Sequence, residues 1–189
     1  MYTLGGNVLQ KTISKVFPNS TVAAAVEILF LLGIGMIAIV LHAKLRMPMH
    51  LPGKQGLLFM ALIVTGKGLS KFPYAASVST IGSALVLLIP GLGFHDPFMA
   101  INYLLLGSVM DIVTGFSARF TSKAWLLSLL CGACWIFIPL FRLGMSFMVD
   151  MPLNAFRSGI AYPFITHLVF GMSGGLIAGG LLTFLGKKT

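Results

Sequence analysis

The sequence predicts an all-α, polytopic membrane protein: one bundle of six transmembrane helices with both termini on the cytoplasmic side. Three observations lead there. Hydrophobic residues make up 57% of the 189 and charged residues only 9%, against roughly 25% charged in a soluble domain. Mean hydropathy is +0.97. The 13 Lys and Arg, set against 4 acids for a net charge of +9, fall in small groups between apolar runs, as membrane proteins distribute them. A surface so poor in charge cannot be wetted. That excludes a soluble enzyme and a disordered tail, and the scattered cations exclude a nucleic-acid module. At roughly 20 residues per span, residues 1–189 make a single membrane domain.

Residues 1–20 are polar, with Lys11 and Lys15, and read as an amphipathic or extended cytoplasmic lead-in. The first span covers 21–43. Its apolar run exceeds the roughly 7–15 residues of a signal-peptide core, so no cleaved leader is expected. The second span, 55–72, holds a clean apolar run only from Gly56 to Gly66. That is about 17 Å of helix, so it either extends through Lys67 and Lys71 with snorkelling side chains or stops partway. The third span, 74–93, closes at Pro90 and Gly91. The fourth is 97–117; the fifth, 123–148, carries Pro139 as a site for a bend; the sixth, 158–186, ends at Gly186-Lys187-Lys188.

Charge orients these spans. With the termini inside, Lys11, Lys15, Lys67, Lys71, Arg119, Lys123, Lys187 and Lys188 are cytoplasmic. Lys44, Arg46, Lys54, Arg142 and Arg157 are outside, a modest bias in the expected sense. Lys44, Arg46 and Lys54 share one short outer loop, residues 44–55, with His50, Pro48, Pro52 and Gly53. The prolines prevent a continuous helix, so a structured turn is expected. Its cations and His50 suit a ligand carboxylate or phosphate, or lipid phosphates. Met47, Met49 and His50 are also a soft-metal alternative.

Polar groups at membrane depth are the next candidates, because a charge there is expensive without a partner. Asp111 in span four, near Ser108, Thr114 and Gly115, reads as a ligand or network residue, or as a structural interhelical bond. Glu27 in span one lies near enough to the cytoplasmic end to reach headgroups. His167 in span six could bond a substrate, a metal or a neighbouring helix; His42 and His95 sit at span ends. Cys131 and Cys134 have the spacing of a redox or metal pair, but buried cysteines usually act as small hydrophobes. Gly171, Gly175 and Gly179 form one smooth stripe, with Ala23, Ala24 and Ala25 a smaller one in span one. Such faces admit a close helix, internal or from a partner. No P-loop or HExxH motif occurs.

The order of parts is also familiar. A lysine-bearing lead-in precedes one span, a Pro/Gly outer loop and the short Gly56–Gly66 run. A span closing on Leu88-Ile89-Pro90-Gly91 follows, and a last span carries His167 and the run Gly171 to Gly180. This layout resembles the substrate-binding S components of energy-coupling factor (ECF) transporters of the vitamin-uptake kind. The resemblance implies six helices and a ligand cavity near the outer face, covered by the loop after the first helix, here 44–55. It also implies a membrane coupling subunit and two cytoplasmic ATPases as partners. The family's alanine-rich contact would fall at Ala23 to Ala25, where Glu27 replaces the second alanine of an AxxxA pair. Met49-His50-Leu51-Pro52-Gly53 faintly matches the metal-binding start of the cobalt and nickel members, but is internal here.

The expected function is therefore capture of a small vitamin- or cofactor-like molecule for uptake across the cell membrane, without catalysis, ATPase activity, cofactor or metal. Lys44, Arg46, His50 and Lys54 would hold its anionic group. Asn102, Tyr103, Asp111 and His167 would hydrogen-bond its polar part, and Trp135 and Phe164 would pack on its rings. The alternatives are a membrane redox or metal-handling protein using Cys131, Cys134 and His167, and a non-transporting scaffold.

Overall fold

A computed structural model describes residues 8–45, 51–89, 92, 96, 98–116, 123–149 and 159–186. Among them all regular structure is helical: α1 (Val8–Val16), α2 (Ser20–Lys44), α3 (Gly56–Leu69), α4 (Ala75–Leu87), α5 (Met99–Phe116), α6 (Ala124–Trp135), α7 (Phe137–Val149) and α8 (Ala161–Gly186). Three apolar stretches have the length of a membrane span: α2 with 25 residues, Ala124–Met148 across α6 and α7 with 25, and α8 with 26. Their outer faces stay apolar, with Leu29, Ile37, Val169, Leu176 and Phe184 all exposed. Helices apolar all round are buried or lipid-facing, and these faces are not buried.

Local chemistry sets the helix ends. The lead-in includes the helix α1, with Ile13 buried and Lys11 and Lys15 exposed. Pro18 keeps Phe17 out of the helical region, and the Asn19 side chain then accepts the Thr21 amide at 2.9 Å to cap α2. Spans two and three are shorter than the sequence predicts. α3 has 14 residues and α4 has 13, each about 20 Å long against a hydrocarbon core of about 30 Å. α3 stops because Ser70 turns extended and Pro73 biases Phe72 away from helix. The bend expected at Pro139 is an interruption at Ile136, between α6 and α7. Proline has no N–H for the Trp135 carbonyl four residues back, so the distortion falls one turn earlier.

α2 packs on α4, α3 on α8, and α6 on α8. Glycines permit the closest of these contacts. A Cβ on Gly35 would stand 1.6 Å from the Ser79 carbonyl oxygen, and one on Gly82 would stand 2.1 Å from that of Leu32. Ser83 closes the same seam by donating its hydroxyl to Gly35 O at 2.9 Å. The core between the seams is Leu31, Ile39, Phe59, Met60, Ile63, Leu106, Met110, Trp135 and Leu182.

Candidate functional site

α3 runs between two ends of the bundle. At one end lies the segment 51–55 that precedes it, the loop end. At the other lies the turn 70–74 that follows it, the turn end.

At the loop end the described residues pack closely. Gly53 has φ +77°, the left-handed region that favours glycine, and a Cβ there would come within 2.6 Å of His167 Nδ1. Gly53 O accepts the Trp135 indole N–H at 3.1 Å. Trp135 stacks on His167 with centroids 6.1 Å apart, and Phe59 lies 5.4 Å away. Tyr103 packs on Phe59 at 4.6 Å, and its hydroxyl pairs with His42 Nδ1 at 3.3 Å. His167 Nδ1–H donates to the Pro163 carbonyl at 2.7 Å. Arg142 bonds Asp96 at 2.7 Å, and the charges of Arg142 and Lys54 reach His42. Asn102 donates to Ile138 O at 3.5 Å, while its own Oδ1 and the Gln55 Oε1 are buried without a partner among the described residues.

Several predicted site residues therefore meet at this end: Lys54, Asn102, Tyr103, Trp135 and His167. Phe164 is half-buried on α8, one turn before His167, and Lys44 is exposed at the end of α2. Arg46, Met47, Met49, His50, His95, Arg119, Arg157, Lys187 and Lys188 lie outside the described residues. Among the described residues, Phe59, Tyr103 and Trp135, each 3% exposed or less, pack together with His167 below Gly53, so four aromatic rings from four helices converge there.

Asp111 belongs to the other end. Its carboxylate, on α5, accepts the Lys67 ammonium, the Ala76 amide at 3.2 Å, the Ser77 amide at 2.7 Å and the Ser77 hydroxyl at 2.6 Å. Ala76 and Ser77 lie in the first turn of α4, where amides lack intrahelical acceptors, and Tyr74 gives no side-chain cap. Asp111 thus caps α4 from a neighbouring helix, at the end its dipole makes positive. Lys67 also donates to Pro73 O at 3.1 Å. On α2, Glu27 accepts the Ser70 hydroxyl at 2.5 Å and the Lys71 amide at 3.2 Å. Two carboxylates from two helices thereby pin the α3–α4 turn. Glu27 engages this turn rather than headgroups.

Beside this turn is a cavity of about 760 Å³, within the roughly 300–1,000 Å³ of small-molecule sites. α5 lines it with Ser108, Asp111, Ile112 and Gly115, and α6 with Leu127, Leu130, Cys131 and Cys134. Both sets have the spacing of a single helical face. Lys67, Ser70, Lys71, Tyr74 and Ser77 supply the polar wall. Sequence reasoning flagged Asp111 but not these partners. The one signal was Lys67 and Lys71 interrupting an apolar run.

Cys131 and Cys134 are free and buried, and Cys131 packs where a Cβ on Gly175 would stand 2.7 Å from its own. Among the described residues no group of three His, Cys, Asp or Glu gathers to hold a metal. Gly171, Gly175 and Gly179 all face α6, against Cys131, Ser128 and Ala124. Of the two uses open to this stripe, an internal or a partner helix, the structure shows the internal one, while Ala24 and Ala25 are exposed on α2. No protein-family model, curated protein or solved structure matches the chain.

Proposed function

We propose that the protein is the membrane-embedded binding subunit of a small-molecule uptake system, of the S-component kind that its layout resembles. The observation that carries this reading is the cavity of about 760 Å³ with the Lys67–Asp111 pair on its polar wall. An apolar hollow with a few convergent polar groups is the usual form of a ligand site. In this reading the long helices span the bilayer and α3, α4 and α5 complete a six-span bundle. The turn end faces the cytoplasm, where Lys11, Lys15, Lys67, Lys71 and Lys123 gather.

The site then lies in the inner half of the bundle, not under the outer loop. The aromatic cluster of Trp135, Phe59 and Tyr103, with Gly53 seated on it, acts as the outer closure. Lys44 and Lys54 at that end draw an anionic ligand toward it. Movement across the membrane would need a coupling subunit and ATPases, since the chain contains no nucleotide-binding motif.

A thermal-shift panel of vitamins and cofactors tests the proposal, with wild type compared with Gly115→Phe. Gly115 lines the cavity and has open space where a Cβ would sit, so the position accepts a side chain and a ring there should obstruct the hollow. One compound should raise the Tm of wild type and leave the variant unchanged. No shift with any compound, and no small molecule retained in native mass spectrometry, would overturn the reading.

A further inference from the structure

The cavity's walls differ sharply in chemistry. On α6 and α8 the lining is apolar, with Leu127, Leu130 and Leu182. On the α3–α4 turn it is polar, with Lys67, Ser70, Lys71, Tyr74 and Ser77. Both Asp111 oxygens are taken up by Lys67, Ala76 and Ser77. Glu27 holds Ser70 and the Lys71 amide. The hydroxyls of Ser70 and Ser77 are spent as donors to these carboxylates. At the cavity's exposed rim stand the Lys71 ammonium and the Tyr74 hydroxyl, neither with a hydrogen-bond partner among the described residues. An ammonium at the rim of an apolar cavity suits a ligand with an ionised acceptor head, which bonds it most strongly.

The cavity is also open at its side. Ile112 on α5 lines it yet is 58% exposed, and Ser108 and Gly115 on the same face are exposed as well. α5 and α6 make few direct contacts, so the gap between them leads outward. An apolar isoleucine on an apolar helix rims that gap, which in a membrane faces acyl chains rather than water.

We infer that the cavity between α5 and α6 takes an anionic single-chain amphiphile from the surrounding leaflet. Its charged head sits at Lys71 and Tyr74, and its chain lies along Leu127, Leu130 and Leu182. This inference rests on the ligand-cavity reading above and specifies the class of ligand for the same site.

The test uses the full-length protein in nanodiscs of phosphatidylcholine with spin-labelled stearate, the matched stearyl alcohol and the matched amine. Stearate should show a motionally restricted population about tenfold better retained than the alcohol, the scale of one charge-assisted hydrogen bond. Lys71→Gln should bring stearate down to the alcohol's level. Gly115→Phe should remove the restricted population of both. Equal retention of acid, alcohol and amine would overturn the anionic head. Displacement of stearate by equimolar inorganic phosphate or acetate would mean a free anion as the ligand and overturn the bilayer route. Restricted populations that Gly115→Phe leaves intact would overturn the site. The vitamin panel, read on the same Gly115→Phe variant, separates the two readings: a soluble compound that binds only the wild type would keep the cavity as a ligand site while the amphiphile fails.

Discussion

Asp111 on α5 takes both the amide and the hydroxyl of Ser77, a residue 34 positions earlier in the first turn of α4. With the Lys67 ammonium on the same carboxylate, one side chain joins α3, α4 and α5 and forms the polar wall of the cavity. The wall depends on this joint, so stability and binding should respond to it together.

Asp111→Asn should lower stability by about 3 kcal/mol, because it leaves a partly buried lysine without its counter-charge and weakens a helix cap. Lys67→Met combined with Asp111→Asn should recover part of that loss, since the stranded charge is gone. Unfolding of the single and double variants in detergent, closed as a double-mutant cycle, measures both. Strict additivity would mean the pair is not coupled.

Gly53→Ala should destabilise the loop end by about 2 kcal/mol, since alanine resists φ +77° and its Cβ would meet the His167 ring. In a Trp125→Phe background the emission of Trp135 should shift to longer wavelength as its cover lifts. An unchanged spectrum would show that the segment is not seated on the ring.

Two glycines of α2 should respond with opposite sign. Gly35→Ala drives a methyl into the Ser79 carbonyl and must separate α2 from α4, a loss of several kcal/mol by the scale of overpacked sites. Gly33 meets nothing within 4 Å, so Gly33→Ala should gain up to about 1 kcal/mol from helix propensity. Melting temperatures of the two variants decide it.

Replacing Cys131 and Cys134 together by serine should leave ligand-dependent thermal shifts in place, with stability lowered by about 1–3 kcal/mol for hydroxyls placed in an apolar wall. A ligand response that persists in the double variant would remove the redox reading.

Particular residues show how far the sequence could be read. The bend attributed to Pro139 occurs one turn earlier at Ile136, since a proline frees the carbonyl four residues behind it. Asp111 was legible as an interior acid that needed a partner, but Lys67 was read only as snorkelling or as lying past a span that stops partway. Nothing local distinguishes a lysine that reaches water from one that turns inward to a carboxylate 44 positions on. Trp135, Tyr103 and His167 were legible as candidates for one site, and the structure packs them together beneath Gly53.

The sequence by itself determined a helical, lipid-facing chain, because apolar runs interrupted by Pro, Gly and paired cations dictate where helices form and which solvent they tolerate. It also determined that the few buried charges need partners. Only the tertiary structure decided which helices touch and which stand apart. Glycine contacts draw α2 to α4 and α6 to α8, aromatic rings close one end, and the gap left between α5 and α6 is the cavity. Voids arise from how side-chain volumes from distant segments add up around one point, a sum that no local pattern contains.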